Sequence, residues 1–250
     1  MAAVSPLQEE IEFDHGTFDS AAFTTQTLAS WQNLAGIIDH TLLKPDATRE
    51  QVENLCDEAL RYRFACAMVN PIWVPAAVSV LSGTGIPVGV VIGFPLGASL
   101  VSTLRHEAEA LTRLGARELD MVIPIGQLKS GNHHAVEHAI HATAKVAHHH
   151  GALLKVILET CLLTVQEKLR GAEMAIQAGA DFLKTSTGFS SGGATTADVA
   201  LLRGVAGGRS GVKASGGIRT LADVRAMLDA GANRIGASAG VAIVRELGAE

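Results

Sequence analysis

The chain has 250 residues, of which 48% are apolar and 18% charged, and carries a formal net charge of −5. This length suits one large domain, and a charged fraction below the usual quarter implies a well-buried core with apolar surface left over for contacts between copies, so a homo-oligomer is expected. The acidic balance excludes a general attraction for nucleic acid or anionic membrane, and no uncharged apolar stretch is long enough to span a bilayer.

In chain order, residues 1–30 are acidic, hydroxyl-rich and weakly periodic, and read as an N-terminal extension with one short helix, outside the core. The opening MAAVSPLQEEIEFD has neither the basic segment nor the apolar core of a signal peptide, and the three cysteines (Cys56, Cys66, Cys161) lack metal-type spacing. Both features fit a cytoplasmic protein. Residues 31–250 form the second unit. Here apolar runs of strand length alternate with helical stretches: GIIDHTLL (36–43), FACAMVN (64–70), PVGVVIGF (87–94), ELDMVIPI (118–125), LLKVILET (153–160), DFLKTST (181–187), GVKASGG (211–217) and NRIGASA (233–239). Nearly continuous hydrophobic strands separated by helices indicate a parallel sheet covered by helices, and eight such units close a (β/α)8 TIM barrel in a single α/β domain. Glycine precedes strand after strand, at Gly85, Gly115, Gly151, Gly179, Gly211 and Gly231, where it ends a helix in the left-handed conformation.

Barrel active sites lie at the C-terminal ends of the strands. That rule selects Asp39, Asp120, Glu159, Lys184, Lys213 and Ser238. Side chains alternate along a strand, so Lys184 shares a face with Ser186, and Lys213 with Ser215. If those faces point inward, two ammonium groups stand on strands roughly 5 Å apart. Like charge and desolvation then both disfavour double protonation, and taking a lysine from about 10.4 to about 7 requires roughly 4–5 kcal/mol. Such a pair suits nucleophilic attack on a carbonyl; the competing reading is two stems reaching solvent and pairing with loop carboxylates. Asp120 is either a proton-shuttling carboxylate or the buried partner of Lys155 or Lys184. Lys155 and Glu159 are expected to share a face of strand 5 within a charge network.

Glycine-rich turns follow the last three strands: TGFSSGG, SGGIR and GASAG. Exposed backbone N–H groups at such turns suit a phosphorylated ligand, for which barrels use these loops. His134, His138 and His141 fall on one helical face, where adventitious zinc competes with a plain solvated surface, and the cysteines read as packed core.

The motifs IDHTLLKPDAT (38–48), ELDMVI (118–123), KTSTGF (184–189), VKASGGIRT (212–220) and the GAS turn (236–238) resemble the deoxyribose-phosphate aldolase family over residues 34–244. The resemblance implies a metal-free, cofactor-free class I aldolase that joins acetaldehyde to glyceraldehyde 3-phosphate. It separates the two lysines, which residue chemistry alone leaves equivalent. Lys184 matches the Schiff-base lysine, Lys213 the lysine that perturbs it, and Asp120 the proton relay. Gly188, Gly216, Gly217, Gly236 and Ser238 match the phosphate contacts. Three positions depart from the pattern: Met68 stands where relatives often have a cysteine facing the site, Ala239 where they often have a second serine, and RELGAE ends the chain where some have a tyrosine. Without a thiol at position 68, better tolerance of high acetaldehyde is expected. Within enzymes the alternative is another Schiff-base lyase acting on a phosphorylated sugar or keto acid; outside them, a non-catalytic phosphosugar-binding barrel.

Overall fold

The computed structural model describes residues 18–250. Eight parallel strands, β1 (Ile38–Leu42), β2 (Cys66–Val69), β3 (Val88–Ile92), β4 (Glu118–Val122), β5 (Leu153–Ile157), β6 (Phe182–Lys184), β7 (Gly211–Ser215) and β8 (Arg234–Ala237), pair in chain order, and β8 closes on β1. The helices are α1 (Ser20–Thr27), α2 (Trp31–Ala35), α3 (Arg49–Tyr62), α4 (Val74–Leu81), α5 (Val101–Arg113), α6 (Ile125–Lys129), α7 (His133–His149), α8 (Val165–Gln177), α9 (Thr196–Ala206), α10 (Leu221–Asp229) and α11 (Gly240–Glu246). This is the expected (β/α)8 barrel, and each strand falls within one of the apolar runs of the sequence.

The two faces of the sheet differ in chemistry. Outward residues such as Ile38, Val90, Leu119, Leu154, Val156, Leu183, Val212 and Ile235 join the helices in one continuous apolar core. The register aligns the inward set: Asp39 with Cys66 and Gly236, Asp120 with Lys155, Lys155 with Phe182, Lys184 with Lys213, and Lys213 with Arg234. On the β2–β3 side the interior is apolar, with Cys66, Met68 and Val91 forming a small separate cluster. Elsewhere it is charged. Burial of the outward face supplies the hydrophobic drive, leaving the inward face free to carry chemistry.

Local sequence sets the element ends. Thr48, Thr164 and Thr220 cap α3, α8 and α10, each in a reciprocal capping box with Gln51, Glu167 or Asp223. Of the glycines that punctuate the repeat, Gly85, Gly115, Gly151, Gly179 and Gly231 take positive φ as expected. Gly211 does not. It is the first residue of β7, and a Cβ there would lie 2.2 Å from the Phe182 ring, so its role is clearance inside the barrel.

Residues 1–17 of the expected extension lie outside the described residues. The remainder is docked on the barrel: Asp19 caps α1, which packs on α10, and Thr24 and Thr27 are buried. No helix among the described residues is long and apolar enough to cross a membrane. Phe18 lies with its ring 4.0 Å from the Arg203 guanidinium carbon. Arg203 donates to the carbonyls of Gly207, Gly231 and Ser210 at 2.9, 2.8 and 3.2 Å, tying together the turns that enter β7 and β8. Replacing this side chain strands three carbonyls. Arg203→Met is expected to lower unfolding free energy by about 2–3 kcal/mol, measured by urea denaturation with an unchanged slope.

Candidate active site

Seven inward side chains from six strands form one buried ion network. Asp120 Oδ2 accepts from both Lys184 Nζ and Lys213 Nζ at 2.7 Å, and Asp120 Oδ1 accepts from Lys155 at 2.8 Å. The two lysine nitrogens that the sequence pairs therefore lie within twice 2.7 Å of each other. Asp39 contacts Lys213, Lys155 at 3.4 Å and the Arg234 Nε at 2.5 Å. Glu118 accepts two bonds from Arg234, at 2.7 and 2.8 Å, and stands 2.6 Å from Lys155. Four cations thus share three carboxylates.

Partner number decides where the surplus falls. Lys155 touches all three carboxylates, Lys213 and Arg234 touch two, and Lys184 touches Asp120 alone. Burial alone would lower the Lys155 pKa, but Asp120, Asp39 and Glu118 outweigh it and hold the ammonium well above its ordinary range. For Lys184 burial wins: it is pushed down to about 8, Asp120 opposing and Lys213 and Lys155 adding to the shift. Burial would raise Asp39 and Asp120, yet their cation neighbours, Lys155 foremost, keep both below the usual carboxylate range. The amine with the fewest anions is one of the two, with Lys213, that reach an opening to solvent.

That opening is a pocket of about 420 Å³ at the C-terminal end of the barrel. Lys184, Lys213 and Ser215 line it together with Gly188, Gly216, Gly217, Gly236 and Ser238, whereas Asp39, Asp120 and Glu159, also expected at this end of the barrel, do not reach the cavity. Asp120 is fully buried beneath the lysines. Gly216 and Gly217 have φ of 88° and 83°, and a Cβ at Gly217 or Gly188 would meet nothing within 4 Å, leaving their backbones accessible to a ligand. Gly236 is different. It belongs to β8, where a Cβ would stand 3.0 Å from Lys213 Cε and 2.9 Å from Ser215 Cβ, so its chief effect is to leave room for the lysine stem.

Sequence reasoning missed Glu118 and Arg234 in the network, and Thr41, Lys44, Thr187 and Arg219 in the lining. The last four stand in or beside quoted motifs, where a basic residue after a strand end was the available signal. Glu159 was expected to share a charge network with Lys155, but β5 ends at Ile157, and Glu159 instead binds Thr187. Met68 faces inward yet is fully buried, its Cε filling the space beside Gly89, behind the pocket lining. Tyr62 donates to the Glu250 carbonyl at 3.1 Å from the apolar core and does not line the pocket. Cys56 and Cys66 are buried, whereas Cys161 is exposed rather than packed.

Asp39, Cys66 and Glu118 bring ligand atoms within 4.8 Å of one another. Their carboxylates already hold Lys155 and Arg234, and burial, then Glu118 and Asp39, push the Cys66 thiol well above its ordinary range, so the donor set suits cations already present. His134, Glu137, His138 and His141 line a separate shallow pocket on α7, and no comparable convergence of ligand atoms occurs there.

A lysine whose folded pKa is depressed makes stability rise with pH between its folded and unfolded values, because the unfolded chain binds the extra proton. For Lys184 that window runs from about 8 to the ordinary 10.5. Lys184→Met is therefore expected to stabilise the fold by about 1–3 kcal/mol at neutral pH. The advantage should fade toward pH 10.5, as read from denaturation of both proteins across pH.

The sequence profile of the DeoC/LacD family aldolases matches residues 34–247. A deoxyribose-phosphate aldolase of Thermoanaerobacter sp. (strain X514) is 53% identical over 215 residues, covering 86% of this chain and 96% of that protein. One of Geobacillus sp. (strain WCH70) is 54% identical over 212 residues, covering 85% and 95%. Among solved structures, the tetrameric deoxyribose phosphate aldolase of Aeropyrum pernix superposes with a TM-score of 0.84 at 36% identity, covering 91% of this chain and 96% of that one. A profile match across nearly the whole barrel, joined to a lysine pair over a shared carboxylate, makes this chain a member of the DeoC/LacD aldolase family.

Proposed function

We propose that this chain cleaves 2-deoxy-D-ribose 5-phosphate reversibly to D-glyceraldehyde 3-phosphate and acetaldehyde through a Schiff base on Lys184. The observation that carries the reading is a lysine pushed down to about 8 on the floor of a pocket whose rim is made of glycine turns. The names carried by its relatives supply the substrate.

Neutral Lys184 attacks C1 of the open-chain sugar, and loss of water gives an iminium ion. Removal of the C3 hydroxyl proton breaks C2–C3; the bonding electrons pass into the iminium, leaving an enamine and releasing the phosphorylated aldehyde. Protonation of the enamine carbon and hydrolysis then free acetaldehyde and Lys184. The iminium is the electron sink, so the reaction is expected to withstand exhaustive chelation. Asp120, hydrogen-bonded to both amines, passes protons between them, and Lys213 adds to the burial that lowers the Lys184 pKa and so enlarges its neutral fraction. The exposed backbone at Gly188, Gly216, Gly217 and Ser238 takes the phosphate, with Lys44 and Arg219 as rim cations and Gly236 as the nearest strand glycine. The three thiols without disulfides fit a cytoplasmic enzyme, and the tetrameric relative favours a homo-oligomer, which sedimentation would read directly.

Borohydride reduction in the presence of acetaldehyde should leave a two-carbon adduct on Lys184, absent from Lys184→Met. An intact wild-type enzyme that yields no adduct would favour the non-catalytic phosphosugar binder. Lys213→Met removes a like charge and leaves Asp120 Oδ2 to Lys184 alone, so the Lys184 pKa rises. Imine formation should then shift about one pH unit or more to the alkaline side, and an unchanged profile would refute the coupling.

A further inference from the structure

We propose that Glu159 is a positioning residue that fixes the Thr187–Gly188–Phe189 turn, and through it the seat of the substrate's phosphate. The inference rests on the aldolase reading above.

The backbone around Glu159 departs from the ladder. Leu158 N–H donates to the Lys184 carbonyl at 2.9 Å, but Thr160 N–H donates to Thr185, only one residue further on, at 3.0 Å. Two residues on one side answer one on the other, which is a bulge, and bulges beside active sites re-aim side chains. Glu159 is the residue caught between, at φ 55° and ψ 61°, a left-handed conformation that long side chains seldom take. Its carboxylate is thereby turned toward the next loop, only 2% exposed.

What it meets there is specific. Glu159 Oε1 accepts the Thr187 N–H at 3.2 Å, and Oε2 accepts the Thr187 hydroxyl. That hydroxyl in turn accepts the Phe189 N–H at 3.0 Å. Glu159 makes no ion pair among the described residues, so a buried carboxylate is satisfied by this turn and by a 4.0 Å contact from the Cys161 thiol. The hydroxyl proton of Thr187 is committed to Glu159, which leaves the side chain unsuited to donating a proton to substrate. Gly188, at φ 84° between the two anchored residues, lines the pocket with nothing within 4 Å of where a Cβ would stand. A charge-assisted clamp of this kind holds the backbone where an anion needs it.

Position and chemistry separate under the right substrates. Glu159→Gln and Thr187→Val are each expected to raise KM for 2-deoxyribose 5-phosphate by about tenfold or more, from one lost bond to a charged group. In Glu159→Gln, whose side chain does not line the pocket, kcat/KM for unphosphorylated 2-deoxyribose and borohydride trapping of acetaldehyde on Lys184 should change by less than about twofold. Glu159→Gly relieves the backbone without replacing the carboxylate and should match Glu159→Gln, which assigns the effect to the clamp instead of to strain. Equal losses on both sugars in Glu159→Gln, or a wild-type KM in either variant, would overturn the proposal. Absence of trapping in the wild-type protein would instead overturn the aldolase reading, so the two failures are distinct.

Discussion

Everything in this barrel turns on a shortage of anions. Burying an ion costs several kcal/mol unless partners repay it, and here Asp39, Glu118 and Asp120 must serve Lys155, Lys184, Lys213 and Arg234. One cation is in excess. Were the excess spread evenly, no residue would be primed for chemistry. It is concentrated because the strands deliver the carboxylates at different depths: Glu118 and Asp39 sit beside Lys155 and Arg234, while Asp120 alone reaches up to Lys184. The amine with the fewest carboxylate partners is the one the network holds protonated least firmly, and it lines the pocket.

The network in turn depends on closure. Asp39 and Arg234 are 195 residues apart and meet only because β8 pairs with β1. No pair of neighbouring strands holds the complete set, so the charges are fully compensated only in the closed barrel. Space is as tightly set as charge. Gly89, Gly211 and Gly236 face inward where Met68, Phe182 and the Lys213 stem occupy the volume a Cβ would need. The interior accommodates long side chains because alternate positions carry none.

These dependencies explain what could be read from the sequence. Strand positions were legible because outward residues such as Val90, Leu154 and Val212 keep each run apolar whatever the inward residues are. Lys184, Lys213 and Asp120 stood out as charges interrupting such runs. Glu118 and Arg234 did not: each lies at the start of its run and looks like a polar flank until the closed barrel turns it inward. Gly236 read as a turn because it precedes Ala-Ser, and only the neighbouring lysine stem shows why a strand needs it. For Glu159 the period-2 rule failed where the strand stopped, since a left-handed residue resets which side the next side chain faces.

The lining charges show how an acidic chain attracts an anion without spoiling its nucleophile. Lys44, Lys184, Lys213 and Arg219 line the cavity and, among the described residues, no carboxylate does, so the pocket is locally positive although the chain carries −5. A phosphate beside Lys184 would favour the ammonium form and raise its pKa, undoing the effect of the anion shortage. An anion held at the glycine turns that line the pocket, away from Lys184, would leave that effect intact. A sugar with its carbonyl at C1 and phosphate at C5 would meet that condition: in the proposed reaction its charge stays at one end of the pocket while its reacting carbon meets a lysine whose only anion is already shared.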